Sequence, residues 1–219
     1  MSLRERIGPS PVTLMERAVG DSRTVLDVGC GTNSPLRHFR RHYDKTVGVD
    51  LFAPALEASA AAGIHDEYRQ IDVLRLDEEF EARSFDAVVA FDLVEHLTED
   101  DARTLLALME RTARKRVVVH TPNGFIPQEE YGENPLQVHR SGWTARLMRE
   151  LGYTVQGSNG LRILRGEQGR LRWRPEAFWR ALAGLTQPLV YRVPELAYQL
   201  LCVKELGPTA AIGSSSTRS

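Results

Sequence analysis

Short runs of β-branched and apolar residues alternate along the chain with longer segments in which apolar residues recur at helical spacing. Such alternation is typical of βαβ units, and runs that are apolar almost throughout are typical of strands covered by helices on both faces. Five parallel strands are predicted in this way, namely TVLDVG (24–29), TVGVD (46–50), EYRQID (67–72), FDAVVAF (85–91) and RVVVH (116–120).

Helices are predicted between and after these strands, at 34–42, 54–62, 98–112 and 141–151. Pro54 suits a first helical position, and Thr98 followed by three acids suits an N-cap at the positive end of a helix dipole. Beyond Gly152, the segments 153–156 and 198–204 are predicted as two more strands. We therefore expect an α/β, doubly wound, seven-stranded and mostly parallel sheet with an antiparallel last strand and helices on both faces.

The length and composition limit the domain organisation and the function classes that fit the chain. Its 219 residues suit one domain, predicted at 1–206 with an insertion at about 158–197, and a flexible tail at 207–219.

A net charge of -1 argues against binding to a nucleic-acid backbone. Cys30 and Cys202 lack the spacing of a zinc site or disulfide framework, which favours a reducing cytoplasm. No apolar run approaches the roughly 18 residues of a membrane span, and the N-terminus lacks a signal-peptide core.

A glycine turn follows the first strand, in Asp27-Val28-Gly29-Cys30-Gly31. Glycines at a strand-to-helix turn let the backbone approach a ligand that a Cβ would exclude. A dinucleotide-binding turn would carry a third glycine at position 34, where this chain has Ser34. The Asp27 carboxylate beside the turn would repel a pyrophosphate and attract a cationic ligand, so the pattern disfavours a nicotinamide-dependent oxidoreductase.

Two further acids follow at the ends of the second and third strands. Asp50 lies about 20 residues beyond the glycine turn, where a carboxylate can accept both hydroxyls of a ribose. Asp72 ends the third strand, where an acceptor for an adenine amino group would be useful. The sequence thus predicts a site for a cationic nucleoside.

The sequence resembles the class I, Rossmann-like S-adenosylmethionine-dependent methyltransferases, and is closest in pattern to small-molecule and quinone-biosynthesis enzymes. The resemblance lies in the order and spacing of the turn at 27–31, Asp50, Asp72 and the segment FDAVVAFDLVEHL (85–97). The resemblance covers about residues 20–155. It implies S-adenosylmethionine as cofactor, S-adenosylhomocysteine as product, and O- or N-methylation, with O favoured, of a small-molecule, carbohydrate or lipid-linked acceptor. The cofactor contacts that it implies are Asp27, Gly29, Cys30, Gly31, Asp50, Leu51, Asp72, Val73, Phe91 and Asp92.

Histidines are the candidate bases for an acceptor hydroxyl, because an imidazole titrates near neutral pH. His96 and His139 are the predicted catalytic residues, and His120 at the end of the fifth strand is a weaker candidate. Asp92, Glu95 and His96 also resemble an acid-and-histidine cluster that binds a divalent ion in some quinone-biosynthesis O-methyltransferases. Ribose or substrate contacts explain the same residues, so no metal is predicted.

The insertion is rich in arginine and aromatic residues. One interpretation is a helix after Pro175 that packs on the domain through Phe178, Leu182 and Leu185. The other is a cap that clamps an anionic or lipid-linked acceptor, or a peripheral membrane contact through 165–192, with Arg170 and Arg172 among its basic residues. A cofactor-binding regulatory protein and an RNA methyltransferase remain alternative functions.

Overall fold

The computed structural model describes residues 9–129, 134–165 and 173–207. Seven strands form one sheet in the order β3-β2-β1-β4-β5-β7-β6. β1 to β5 pair in parallel, and β7 pairs antiparallel with both β5 and β6. The predicted fold class is confirmed. The strands are β1 Thr24–Val28, β2 Lys45–Asp50, β3 Glu67–Gln70, β4 Phe85–Phe91, β5 Ala113–Pro122, β6 Thr154–Leu161 and β7 Ala197–Glu205.

Helices cover both faces of the sheet. On one face Leu105 and Met109 of α4 pack with β4 and β5, and on the other face Leu14 and Val19 of α1 do so. All seven residues of β4 are buried, as expected of a central strand between two helical layers. The helices are α1 Pro11–Val19, α2 Ala53–Ala61, α3 Leu76–Glu79, α4 Glu99–Thr112, α5 Ala145–Glu150 and α6 Glu176–Arg192.

The prediction of a helix at 34–42 is wrong. Only a short 3-10 turn, Pro35–His38, forms there. The Glu16 side chain of α1 accepts hydrogen bonds from the backbone N–H groups of Arg40 and Arg41, at 2.6 and 2.8 Å. These N–H groups are satisfied from another helix, so the chain needs no helical turn of its own at that point.

The helix predicted at 141–151 is shorter than expected, because α5 begins only after its Thr144 N-cap. Residues just before it make long-range contacts instead. The Ser141 hydroxyl donates to the Val94 carbonyl, and fully buried Trp143 donates from its ring nitrogen to Ser141. By contrast, α2 and α4 begin within one residue of the predicted starts, and Thr98 caps α4 as expected.

α6 packs on β6 with a different face from the one predicted. A Cβ at Gly157 would lie 2.2 Å from the Val190 carbonyl oxygen, and one at Gly160 would lie 2.7 Å from that of Ala183. The two glycines therefore let the helix backbone approach the strand closely, so its smaller residues face inward. Phe178 and Leu185 of the predicted stripe are instead 58% and 54% exposed.

The β6–β7 connection runs from 162 to 196, within the predicted insertion. Arg170 and Arg172 and residues 208–219 of the predicted tail lie outside the described residues. Among the described residues, no helix is both long and apolar enough to span a membrane. The division into domain, insertion and tail stays a prediction, as does the cytoplasmic location.

Candidate active site

A cavity of about 490 Å³ opens at the carboxyl ends of β1, β2 and β4. This is the edge at which open parallel sheets bind ligands. Nine of the ten predicted cofactor residues line it, namely Gly29, Cys30, Gly31, Asp50, Leu51, Asp72, Val73, Phe91 and Asp92.

The glycine turn forms one wall of the cavity. Gly29 has a φ of +67° and Gly31 a φ of +56°, in the left-handed region that favours glycine. The backbone N–H groups of Gly29 and Cys30 both donate to the Val49 carbonyl, which fixes the turn against β2. A Cβ on Gly29 would lie 2.6 Å from a methyl carbon of Leu93, so the turn has room for backbone alone.

Asp27 is the one predicted cofactor residue that does not line the cavity. Its carboxylate is only 1% exposed and accepts a hydrogen bond from the Ser34 hydroxyl. It also lies 2.9 Å from Nε2 of His65, which is buried beneath the turn. Both partners of the Asp27 carboxylate are side chains of the protein itself, whereas the sequence predicted that this carboxylate would attract a cationic ligand. Asp27 positions the turn by linking Ser34, on the far side of the turn, to His65, two residues before β3.

Asp50 is held by the turn that it faces. One oxygen accepts from the Gly31 backbone N–H and the other from that of Phe52, both at 2.9 Å. Burial raises the pKa of Asp50 in spite of these hydrogen bonds. Asp72 is held similarly, since its Oδ1 accepts from the Leu74 backbone N–H at 2.9 Å. Each carboxylate is thereby fixed at the cavity edge with lone pairs left for a ligand.

The predicted bases come together at the other end of the cavity. The rings of His96 and His139 lie 4.8 Å apart, and His96 lines the cavity whereas His139 does not. The Glu95 carbonyl accepts from the backbone N–H groups of Arg140 and Ser141, which ties the His139 segment to the end of β4. Burial lowers the pKa of His96, and neighbouring His139 lowers it further. An imidazole in this state is a proton acceptor at neutral pH.

The acid-and-histidine cluster is composed differently from the one predicted. Ligand atoms of Glu95, His96 and His139 lie within 4.8 Å of one another, and Asp92 is not among them. Burial, with the nearby Asp92 charge, raises the pKa of Glu95 well above its ordinary value. The Thr121 hydroxyl donates to Glu95 at 2.9 Å. Asp92 is turned the other way, toward Gln199 and His120.

The polar connection 134–141, which its place in the sequence suggested would fold over the crevice, contributes Leu136, Gln137 and Arg140 to the cavity lining. Asn134 caps its short 3-10 turn, Pro135–Gln137. The Asn-Pro pair that starts this turn is visible in the sequence, but the hydrogen bonds that hold the connection to residues 94–96 after β4 are not. Sequence reasoning missed His65, since it lies 38 residues from its partner Asp27.

Cys30 yields a prediction about reactivity. Burial raises the pKa of its thiol far above the usual range, and the Asp27 and Asp50 charges add to the effect. Burial does the same to Cys202. Because the thiolate is the reactive form, we expect both thiols to react at least 100-fold more slowly in the folded protein than in denaturant at pH 8. Thiol titration with a disulfide reagent measures this, and rapid release of one equivalent from folded protein would contradict it.

The comparisons with known proteins agree with this geometry. Residues 26–119 match a family described as a methyltransferase domain. The chain is 31% identical over 103 residues to a ubiquinone biosynthesis O-methyltransferase of Hahella chejuensis, covering 45% of this chain and 42% of that protein. It is 30% identical over 99 residues to the protein of that name from Alkalilimnicola ehrlichii, covering 42% and 40%. The aligned part is thus less than half of either relative.

Solved structures show the same fold at low sequence identity. A SAM-dependent methyltransferase from Archaeoglobus fulgidus has a TM-score of 0.55 at 15% identity, covering 93% of this chain and 97% of that one. Phosphoethanolamine N-methyltransferase 2 of Haemonchus contortus, in complex with S-adenosyl-L-methionine, has a TM-score of 0.56 at 15% identity, covering 90% and 52%. These findings show that residues 26–119 match a methyltransferase domain and that the chain has the Rossmann-like fold of solved S-adenosylmethionine-dependent methyltransferases.

Proposed function

We propose that the chain transfers a methyl group from S-adenosylmethionine to a hydroxyl of a small, phenol-like acceptor. The observation that carries this proposal is the cavity itself, which has cofactor-type carboxylates at one end and a histidine of lowered pKa at the other. The names of the two curated relatives support an oxygen as the methylated atom.

The residues fit the cofactor in kind and place. The Gly29–Gly31 turn offers backbone without a Cβ to the methionyl part, Asp50 accepts the ribose hydroxyls, and Asp72 with Val73 receives the adenine. When bound, S-adenosylmethionine supplies an electrophilic methyl group on a sulfonium. The protein then has to position an acceptor and take up one proton.

His96 is the proposed base. Its Nδ1 lies 3.3 Å from the Val138 carbonyl oxygen, so an N–H at Nδ1 leaves the lone pair of Nε2 for an acceptor hydroxyl. His139 is held by the same device, with its Nδ1 at 2.6 Å from the Ile126 carbonyl oxygen. Since His139 does not reach the cavity, we assign it a positioning role behind His96. Its nearby ring helps to keep His96 neutral.

The experiment that tests this function has two steps. Calorimetry first measures binding of S-adenosylhomocysteine, and a panel of catechols, quinols, sugars and short RNAs is then incubated with S-adenosylmethionine and analysed by mass spectrometry. We expect binding together with methylation of a phenolic hydroxyl. Binding without turnover of any acceptor favours the regulatory alternative, methylation of RNA favours the RNA enzyme, and a failure to bind contradicts the proposal.

We also propose that the chain contacts an anionic membrane surface through the outer face of α6, defined here as Phe178, Leu182, Leu185 and Leu189. Three of these side chains are half exposed or more, and Leu182 is partly buried. Basic residues flank the face, namely Arg174, Arg180 and Arg192. An apolar helix face bordered by arginines suits the boundary between anionic headgroups and acyl chains.

Changing both Leu185 and Leu189 to Asp should lower the fraction of protein that sediments with phosphatidylglycerol vesicles at least fivefold, because the outer face of α6 then carries two charges. Co-sedimentation at low salt measures it, with phosphatidylcholine vesicles as the reference. Ala58→Asp, which adds a charge to exposed α2 at the far side of the sheet, is the control and should bind like wild type. No sedimentation of wild type at low salt would contradict the proposal.

A further inference from the structure

A cluster of four polar side chains runs from the cavity wall into the sheet, where β4, β5, β6 and β7 meet. We call it the Asp92 bracket, and it consists of Asp92, His120, Ser158 and Gln199. The Gln199 side chain donates to Asp92 Oδ1 at 2.8 Å, and Nδ1 of His120 lies 3.4 Å from the same oxygen. On its other side, Nε2 of His120 lies 2.9 Å from the Ser158 hydroxyl.

The bracket is almost sealed from solvent at its back and open at its front. His120 is 2% exposed and Ser158 is fully buried, whereas the Asp92 side chain is 49% exposed and lines the cavity. Apolar residues such as Val118 and Leu201 fill the neighbouring positions on the same face of the sheet. Polar side chains at such positions are costly unless they are paired. Here they converge on one carboxylate that faces the ligand space.

Electrostatics selects one arrangement of protons in the bracket. A bare nitrogen at Nδ1 would turn its lone pair toward a carboxylate oxygen, so the proton belongs on Nδ1. Nε2 is then the acceptor, and the Ser158 hydroxyl donates to it. Nδ1 forms no hydrogen bond of good geometry in the structure, although it is buried and directed at Asp92. Ser158 therefore sets the tautomer with which His120 faces Asp92.

The backbone at Asp92 is also held in an uncommon conformation. Its φ is +51°, in the left-handed region that non-glycine residues seldom adopt, and its N–H donates to the His120 carbonyl at 2.8 Å. Such strain persists where surrounding contacts fix it, and it is frequent at functional sites. Leu93, the next residue, contacts the glycine turn at Gly29. The conformation thus holds the Asp92 carboxylate at the cavity wall, against Gln199 and His120.

We propose that His120, set by Ser158, and Gln199 are positioning residues that aim the Asp92 carboxylate as a counter-charge at the cationic centre of the bound cofactor. This inference rests on the proposed function. A fixed carboxylate favours a cationic ligand over a neutral one of the same shape. The bracket would therefore favour the charged methyl donor over its neutral thioether product, and so assist product release.

Two inert cofactor analogues test the inference without any methyl acceptor. Sinefungin carries a cationic amine where the cofactor has its sulfonium, and S-adenosylhomocysteine carries a neutral sulfur. The measured quantity is the ratio of their dissociation constants by calorimetry, for wild type and each variant. We expect Asp92→Asn to reduce the preference for sinefungin about fivefold, as one charge pair near a protein surface would.

The choice of His120 variants separates a positioning role from a structural one. His120→Asn keeps a donor near Nδ1, facing Asp92, and should keep the wild-type ratio within about twofold. His120→Gln puts its amide near Nε2, facing Ser158, and should lower the ratio about threefold. Gln199→Met removes the other donor to Asp92 while keeping a similar side-chain length, and should also lower the ratio of dissociation constants. It provides the test if a His120 variant fails to fold. Thermal melts verify that each variant is folded.

The outcomes are distinguishable. If wild type binds neither analogue, the proposed function itself fails. If wild type binds both and Asp92→Asn leaves the ratio unchanged, the counter-charge is refuted. If Asp92→Asn lowers the ratio but His120→Asn and His120→Gln behave alike, His120 does not position Asp92. Only loss of the preference in the Gln variant with retention in the Asn variant supports the bracket.

Discussion

Asp50→Ala should weaken binding of S-adenosylhomocysteine about 100-fold or more while leaving a folded protein. The carboxylate is fixed by the backbone N–H groups of Gly31 and Phe52, and two charge-assisted hydrogen bonds to a ribose are each worth about 1.5–3 kcal/mol. Its removal also leaves the Gly31 N–H without its acceptor. Calorimetric titration measures the loss, and circular dichroism checks the fold.

Asp66→Ala is the matched control for this prediction. The Asp66 carboxylate accepts hydrogen bonds from the backbone N–H and the hydroxyl of Thr46. Thr46 lies at the opposite end of β2 from the carboxyl end, where the cavity lies. These hydrogen bonds lower the pKa of Asp66, so the variant should lose some stability above pH 4 and keep its ligand affinity. Equal loss of affinity in both variants would mean that Asp50 acts through the strand and not through the ligand.

Gly29→Ala should be the most damaging single-methyl change at the site. The residue has a φ of +67°, and the new Cβ would lie 2.6 Å from a methyl carbon of Leu93, so the Leu93 side chain must shift. We expect a stability loss of about 2–3 kcal/mol, from left-handed strain plus the clash, and ligand affinity at least 100-fold lower. Urea unfolding and calorimetry measure the two effects.

Gly63→Ala is the control that separates the cost of left-handed backbone strain from the effect of a clash at the cavity. Gly63 has a similar φ of +62°, but nothing lies within 4 Å of a Cβ built there, and it sits beyond the end of α2 away from the cavity. The variant should lose about 1 kcal/mol from left-handed strain alone and bind normally. If both glycine variants lose the same stability and both bind well, the close approach of Leu93 to the turn has no consequence for the site.

The sheet was predictable from sequence because its strands are short, apolar runs separated by helix signals that act locally. Thr98 caps its helix by a hydrogen bond inside the first turn, and Pro54 lies in the first turn of its helix, where its fixed φ is already helical. The failures are where a distant residue decides. Glu16 satisfies the backbone of 40–41, and Gly157 with Gly160 selects which row of α6 faces inward. Periodicity marks the apolar rows of α6 but does not say which of them meets the sheet.

Which residues line the cavity was likewise predictable, since they follow strand ends at fixed spacing. Nine of ten predicted contacts line the cavity. The exception, Asp27, is enclosed by His65, a contact that no local pattern reports. The partnership of His120 with Asp92 is of the same kind, because it joins side chains from neighbouring strands. Sequence therefore indicates which residues surround a ligand, whereas the structure shows how they are aimed.

The strand order has a consequence for synthesis on the ribosome. β7, the last strand among the described residues, lies between β5 and β6, so β6 has no neighbour in the sheet until residues 197–205 are present. A nascent chain halted before that point would expose an unpaired β5 edge to other chains. Completion of the sheet thus waits until residues 197–205 have been synthesised, and truncations ahead of residue 205 should yield insoluble protein.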